Sequence, residues 1–237
     1  MRNALAIARR ELGSHFGSPL AYVVIAAFLV INGVFFYLNL YYSQTATIRP
    51  VVQTILTILL LLTPVLSMRL LAEEQRTGTL ELLLTAPVRD SEVVLGKYLA
   101  GLGFLGAMLA LTLVYPAILF AFGSPDRGAV FGGYLAMVLF GAAAMAIGLF
   151  ASSLTQNQIV AAAIAFAILL VLWVMDGLSS LFAGKVGQVV GYLALYPHFN
   201  DLTKGVIDTK DVVYYLSLVV AALFLTARSL EARRWRG

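Results

Sequence analysis

Six apolar runs, each close to the length of one bilayer crossing, leave this chain little choice of architecture. They cover residues 20–40, 51–71, 98–120, 130–150, 159–175 and 212–227. A hydrocarbon core about 30 Å thick needs about 20 helical residues to cross it. The last two runs are short, which predicts helix ends a few residues further out. The chain is 61% hydrophobic and 12% charged, with a mean hydropathy of +0.91. Soluble domains carry about 25% charged residues, so an all-α integral membrane fold with six transmembrane helices is predicted. The weak ten-residue alternation of an outer-membrane barrel is absent. Pro64 and Pro116 fall inside spans, where a kink is tolerated if neighbours satisfy the freed carbonyls. The first run lacks an A-x-A-like exit and reads as a retained anchor.

Composition also narrows function. There is no cysteine, and the only two histidines, His15 and His198, lie far apart, so no metal site is expected. His198 reads as a surface or hydrogen-bonded residue. A net charge of +4 serves topology in a membrane protein rather than nucleic acid. No stretch matches G-x-x-x-x-G-K-[ST], the phosphate-cradling loop. Asp176 and Asp201 have no evident partner, no Ser/His/Asp grouping is defensible, and no catalytic residue is assigned.

Loop charge predicts direction. With a cytoplasmic N-terminus, the inner side holds Arg2, Arg9, Arg10, Arg69, Arg76, Arg89, Lys97, Arg228, Arg233, Arg234 and Arg236. The outer side holds Arg49, Arg127, Lys185, Lys204 and Lys210. That excess of inner Lys and Arg favours cytoplasmic N- and C-termini.

The whole of 1–237 reads as one transmembrane domain with three appendages. Residues 1–19 form an amphipathic N-terminal helix, with Leu5, Ala8, Leu12 and Phe16 on one stripe and arginines elsewhere. It can lie in the headgroup layer, either as an anchor or as a lever joined to the first span. Residues 177–210 form an extracytoplasmic interfacial segment of short helices, with a turn expected at Tyr196-Pro197-His198-Phe199.

The third appendage, 72–92, is the most informative. Positions 73–92 carry Glu73, Glu74, Arg76, Glu81, Arg89, Asp90 and Glu92 between two oily runs. Each charge would cost about 3 kcal/mol at mid-bilayer, so the block lies outside the lipid. Gly78 and Thr79 read as a helix start, Leu80, Leu83 and Leu84 as its apolar face, and Pro87 as its stop. Asp90 is expected to cap the following helix. A short connector resting on headgroups would explain the leucines. Seven flanking charges exceed that need and point to a protein-docking surface.

The run MRLLAEEQRTGTLELLLTAPVRDSEVVLGKYLA resembles the region between the second and third spans of type-2 ABC exporter permeases, most closely their gliding-motility-type branch. ARREL with FGSPLAYVVIAAFL, GLFASSLTQNQIVA at 148–161 and HFNDLTKGVIDTKDVVYYLSL at 198–218 extend the resemblance over nearly the whole chain. It implies a permease half in a bacterial or archaeal inner membrane, paired with a second permease, identical or sibling. Two copies of a separate ABC ATPase subunit would carry ATP and Mg, leaving this chain without a cofactor. The segment matching a cytoplasmic coupling helix makes Glu73, Glu74, Arg76, Gly78, Thr79, Glu81 and Leu84 the ATPase-docking residues. The second inner loop, 152–158, would be a minor contact, its plainer role being helix capping by Thr155 or Asn157.

Polar residues within spans are candidates for a pathway: Asn32, Tyr37 and Asn39 in the first, and Gln53, Thr54, Thr57 and Thr63 in the second. Interhelical hydrogen bonding is the competing explanation. Gly103 with Ala107 and Ala144 with Gly148 mark close helix approach, within one chain or between two. Two other functions stay open: a membrane scaffold recruiting cytoplasmic partners, and a motor-free channel or carrier. The carrier predicts ionisable residues buried in the spans, and only Arg69 and Asp176, at span margins, fit that in the sequence.

Overall fold

The computed structural model describes residues 2–79, 89–182 and 184–234. Eleven helices account for the regular structure among them. They are α1 (Arg2–Gly17), α2 (Pro19–Ser43), α3 (Arg49–Ser67), α4 (Arg69–Thr77), α5 (Asp90–Leu111) and α6 (Val114–Phe122). There follow α7 (Arg127–Leu154), α8 (Gln158–Ser179), α9 (Lys185–Leu193), α10 (Leu195–Thr203) and α11 (Thr209–Arg234). Six helical stretches are long and apolar enough to cross a membrane: 19–43, 49–77, 90–122, 127–154, 158–179 and 209–232. Each contains one of the expected runs, and the two short ones lengthen at both ends.

The fourth span, α7, is the axis of the bundle. It packs on α3, α5, α8, α10 and α11, and 78% of its most apolar stretch is buried, against 22% for α2 and 17% for α8. Small residues make this possible. A Cβ at Gly148 would collide with the Ser67 side chain on α3, so the two backbones approach as only glycine permits. The outlying α2 and α8 are the helices left for lipid or another chain to cover.

Both prolines interrupt their spans. Pro116 cannot donate to the Thr112 carbonyl, and that oxygen instead accepts from Tyr115 N at 3.0 Å, where α5 gives way to α6. The second span breaks at Met68, four residues past Pro64. There Ser152 Oγ of α7 accepts from Leu71 N and Ala72 N at 3.0 and 2.9 Å and donates to Met68 O at 2.9 Å. One hydroxyl from a neighbouring helix thus satisfies the backbone of the break.

The second and third spans run to 29 and 33 residues, longer than a crossing needs, and the excess falls at the same end of the bundle. Counted about 20 residues from the opposite ends, the boundary falls near Arg69 and Leu102. Beyond it project α4 and the first turns of α5, joined by α1. The opposite end carries exposed Tyr37, Tyr41, Tyr42 and Phe122, an aromatic girdle suited to a headgroup boundary.

Two local expectations change. Helix α1 does not spend its stripe on headgroups: it runs beside α5 in the same direction, from Asn3–Glu92 (3.1 Å) to the Phe16–Phe104 ring contact. A Cβ at Gly96 would lie 2.8 Å from Ile7 Cβ, which explains a glycine there. Its inner face therefore includes Ala4 and Ala8, while Leu5 is exposed. In the interfacial segment, the chain turns at Ala194 (φ −71°, ψ 140°). Tyr196–Phe199 lie within α10, Pro197 occupying its first turn, where the missing N–H costs nothing.

Candidate functional site

The charged block divides at Gly78. Helix α4 continues the second span through Thr77 and ends at Gly78, in the left-handed conformation (φ 74°, ψ 0°). Gly78 is thus a terminator as well as an opening: its αL geometry halts one helix, and Thr79 is the first helical residue after it. Thr79 Oγ1 lies 2.9 Å from Thr77 Oγ1. Glu81 and Leu84, with the leucine face, lie outside the described residues. On the far side Arg89, not Asp90, takes the cap position of α5, its N–H reaching Glu92 Oε2 at 3.4 Å.

Helix α4 is two-faced. Leu70, Leu71, Ala72 and Gln75 are buried, with Gln75 Nε2 donating to the carbonyls of Ser152 and Ser153 at 3.3 and 3.0 Å. Arg69, Glu73 and Arg76 are exposed. Arg76 shares a cavity of about 420 Å³ with Gln156, Asn157, Gln158 and Ile159 of the second loop at this end. Asn157 also caps α8, accepting from Ile159 N at 2.9 Å, as its residue type suggested.

Glu74 belongs to neither face. Its Oε1 lies 2.8 Å from Lys97 Nζ, and Glu11 Oε1 of α1 lies 3.3 Å from the same nitrogen. Lys97 is 2% exposed and its two acids 22% and 23%. A lone ammonium so placed would carry a desolvation cost of several kcal/mol; two carboxylates from two other helices offset it. One buried cation therefore ties α1, α4 and α5 together beyond the lipid boundary. By sequence Lys97 reads as a topology charge, because it borders an apolar run. Its burial depends on α1 folding back onto α5, which no local pattern reveals.

The pathway candidates do not converge. Asn32 is buried and donates to Phe28 O at 2.7 Å within its own helix. Tyr37 is exposed and stacks on Tyr41; Asn39 is half-buried, and its carbonyl accepts from Ser43. Thr54 and Thr63 bond back to carbonyls of their own helix. Gln53 and Thr57 do share a surface. With Leu61, Val65, Arg69 and Glu73 they form an exposed ridge at four-residue spacing along the whole second span. The small residues pack inside the chain: Gly103 approaches Leu12 of α1, and Ala144 is buried in α7 with Gly148.

The opposite end holds a second buried ion pair that the sequence did not disclose. His198 Nδ1 lies 2.7 Å from Asp211 Oδ1 and Nε2 lies 2.9 Å from Tyr192 O. Asp211 is fully buried, and the imidazole stacks on Tyr214 at 4.0 Å. This pins α10 to the start of α11. Asp201, for its part, pairs with Lys204 at 3.0 Å. Lys97 and Asp211 are buried ionisable groups of the kind a motor-free carrier needs, yet Lys97 lies two turns into α5, outside the lipid boundary, Asp211 lies in the first turn of α11, and each has its partner. Among the described residues no cluster of three His, Asp or Glu has metal-binding geometry.

No curated protein matches the chain. A family model described as ABC-2 family transporter protein matches residues 5–232, a range holding all six spans and both buried ion pairs. That description covers the permease resemblance and does not single out the gliding-motility branch. By this match and its six membrane-crossing helices, the chain belongs to the ABC-2 family of transporter proteins, as a multi-pass permease.

Proposed function

We propose that the chain is one permease half of an ATP-driven exporter in a bacterial or archaeal inner membrane, its α1-bearing end in the cytoplasm. Two ATPase subunits, holding ATP and Mg, would dock on the exposed face of α4, the segment after Gly78 and the neighbouring loop around Gln156–Gln158. A second permease, identical or sibling, would cover the Gln53–Leu61 part of the exposed ridge and the poorly buried α8. The observation that carries this reading is Lys97 between Glu11 and Glu74. Force applied near Arg76 would pass through α4 to α5 and α1 as one body, because a buried cation resists losing either acid. The break at Met68, bridged by a hydroxyl, then supplies the place where that body tilts against the membrane part of the second span.

Glu74 is a poor probe of docking, since reversing its charge would also strand Lys97. Glu73 and Arg76 are exposed, and neither side chain is ion-paired among the described residues. The test is the Glu73→Lys, Arg76→Glu double variant, expressed with the ABC ATPase that co-purifies with the unaltered chain. Charge reversal across an interface costs several kcal/mol, so co-purified ATPase and stimulated ATP turnover should both fall about tenfold or more. Wild-type values of both would remove the docking surface from this face.

A further inference from the structure

At the elbow between α1 and α2 a cavity of about 330 Å³ opens where the second span leaves the lipid boundary. Its rim and floor differ in chemistry. Glu11, Ser14, His15, Ser18, Arg69 and Glu73 stand at the rim. Leu20, Ala21, Val24, Val65, Leu66 and Phe104 form the walls and floor. From Glu73 to Val65 the second span descends two turns, about 12 Å at 1.5 Å per residue. The cavity is therefore polar at headgroup depth and apolar at acyl depth, along one direction.

The rim groups are differently committed. Glu11 already holds Lys97 with one oxygen. His15 Nδ1 lies 2.8 Å from the Glu11 carbonyl, which can only accept, so that nitrogen carries the proton and Nε2 remains for a ligand. The Arg69 guanidinium, with five donors, makes no hydrogen bond or ion pair among the described residues, and the Glu73 carboxylate makes none either. Both signs of charge are thus available a few ångströms above an apolar floor. An anion alone would meet two carboxylates, and a cation alone would meet Arg69.

We propose that this elbow binds a zwitterionic, amine-bearing glycerophospholipid: phosphate on Arg69 with the serine hydroxyls beside it, ammonium toward Glu73 and the accepting Nε2 of His15, and one acyl chain on Val24, Val65 and Phe104. The occupant holds α1, α2 and the second span at a fixed mutual angle. Glu73 is shared with the proposed ATPase-docking face, so the site is tested on the chain alone, where lipid retention holds or fails whatever the outcome for docking.

The experiment uses the full chain, delipidated in detergent, with native mass spectrometry and thermal unfolding as readouts. Palmitoyl-oleoyl phosphatidylethanolamine should be retained at one copy per chain and raise the melting temperature. Phosphatidylglycerol of the same chains should bind about tenfold more weakly, and Arg69→Gln should weaken the amine lipid about tenfold, the loss of one charge-assisted bond. Val24→Trp, which fills the floor, should abolish retention. Glu73→Gln, at an exposed position that cannot disturb folding, should erase the preference between the two lipids. Inorganic phosphate and phosphoethanolamine distinguish a free phosphate from a headgroup: millimolar amounts of either should neither bind nor displace the lipid. Equal binding of both lipids, undiminished retention in Arg69→Gln, or displacement by phosphate alone would each overturn the proposal.

Discussion

The two ends of this permease each bury an ion pair, and they bury it differently. At the α1 end the cation is enclosed while its two acids keep about a fifth of their surface in water. At the other end both partners are enclosed, and aromatic rings surround them: Tyr192 edge-on, Tyr214 stacked, with Tyr214 and Tyr215 donating to Leu193 O and Leu195 O. Acids that can regain water lose little when the lysine is replaced by a neutral side chain, although the buried ammonium, where present, holds both of them. A pair sealed beneath rings loses nearly everything. The first arrangement suits a clamp that holds three helices as one moving body, and the second suits a fixed cap.

Removing one partner at each end measures this contrast. His198→Ala should have the largest effect, because it leaves the Asp211 carboxylate fully buried and unpaired. About 3 kcal/mol or more of stability should go, visible as a lower melting temperature of the detergent-purified chain. A melting point equal to wild type would mean that this end is not sealed. Lys97→Met conserves length and removes the buried charge; Glu11 then turns to water, and Glu74, whose Oε2 is buried without a partner among the described residues, swings outward on its partly exposed stem. Its cost should stay at or below about 1 kcal/mol, while backbone hydrogen exchange in α1 accelerates and exchange in α10 does not. A loss as great as that of His198→Ala would erase the distinction between the two ends.

The smallest effect concerns the edge of the cap. Backbone N–H and side-chain contacts from Lys210 hold the exposed Asp208 carboxyl below its ordinary value of 3.8. A depressed carboxyl contributes stability above its unfolded pKa and loses it as pH falls through the folded one. Loosening of the α10–α11 connection should therefore begin only below about pH 4, and Asp208→Asn should remove that acid response by showing already at pH 7 the looser connection that the unaltered chain reaches only in acid. Hydrogen exchange of 205–212 between pH 3 and 5 would read it.

The legible parts of this molecule were those governed by one helix at a time. Apolar length gave all six spans, Pro116 and Pro64 announced interruptions, and Asn157 announced its cap. Misreadings arose where a residue serves a distant neighbour. Pro197 signals a turn in most contexts, yet three residues into α10 it needs no donor. Lys97 and Asp211 look like loop charges because each stands next to an oily run. Ser152 looks like an idle loop hydroxyl until Met68–Ala72 is brought against it from 80 residues away.

Hydropathy and helix length decided by themselves that this chain crosses a membrane six times, because lipid penalises every unsatisfied backbone group and every charge regardless of partners. Its family, too, was written in short motifs, each readable in place. Which charges face water was left to the tertiary structure. The cost of burying Lys97 or Asp211 depends on whether a counter-ion arrives on another helix, and only the packing of α1 on α5, and of α10 on α11, delivers one.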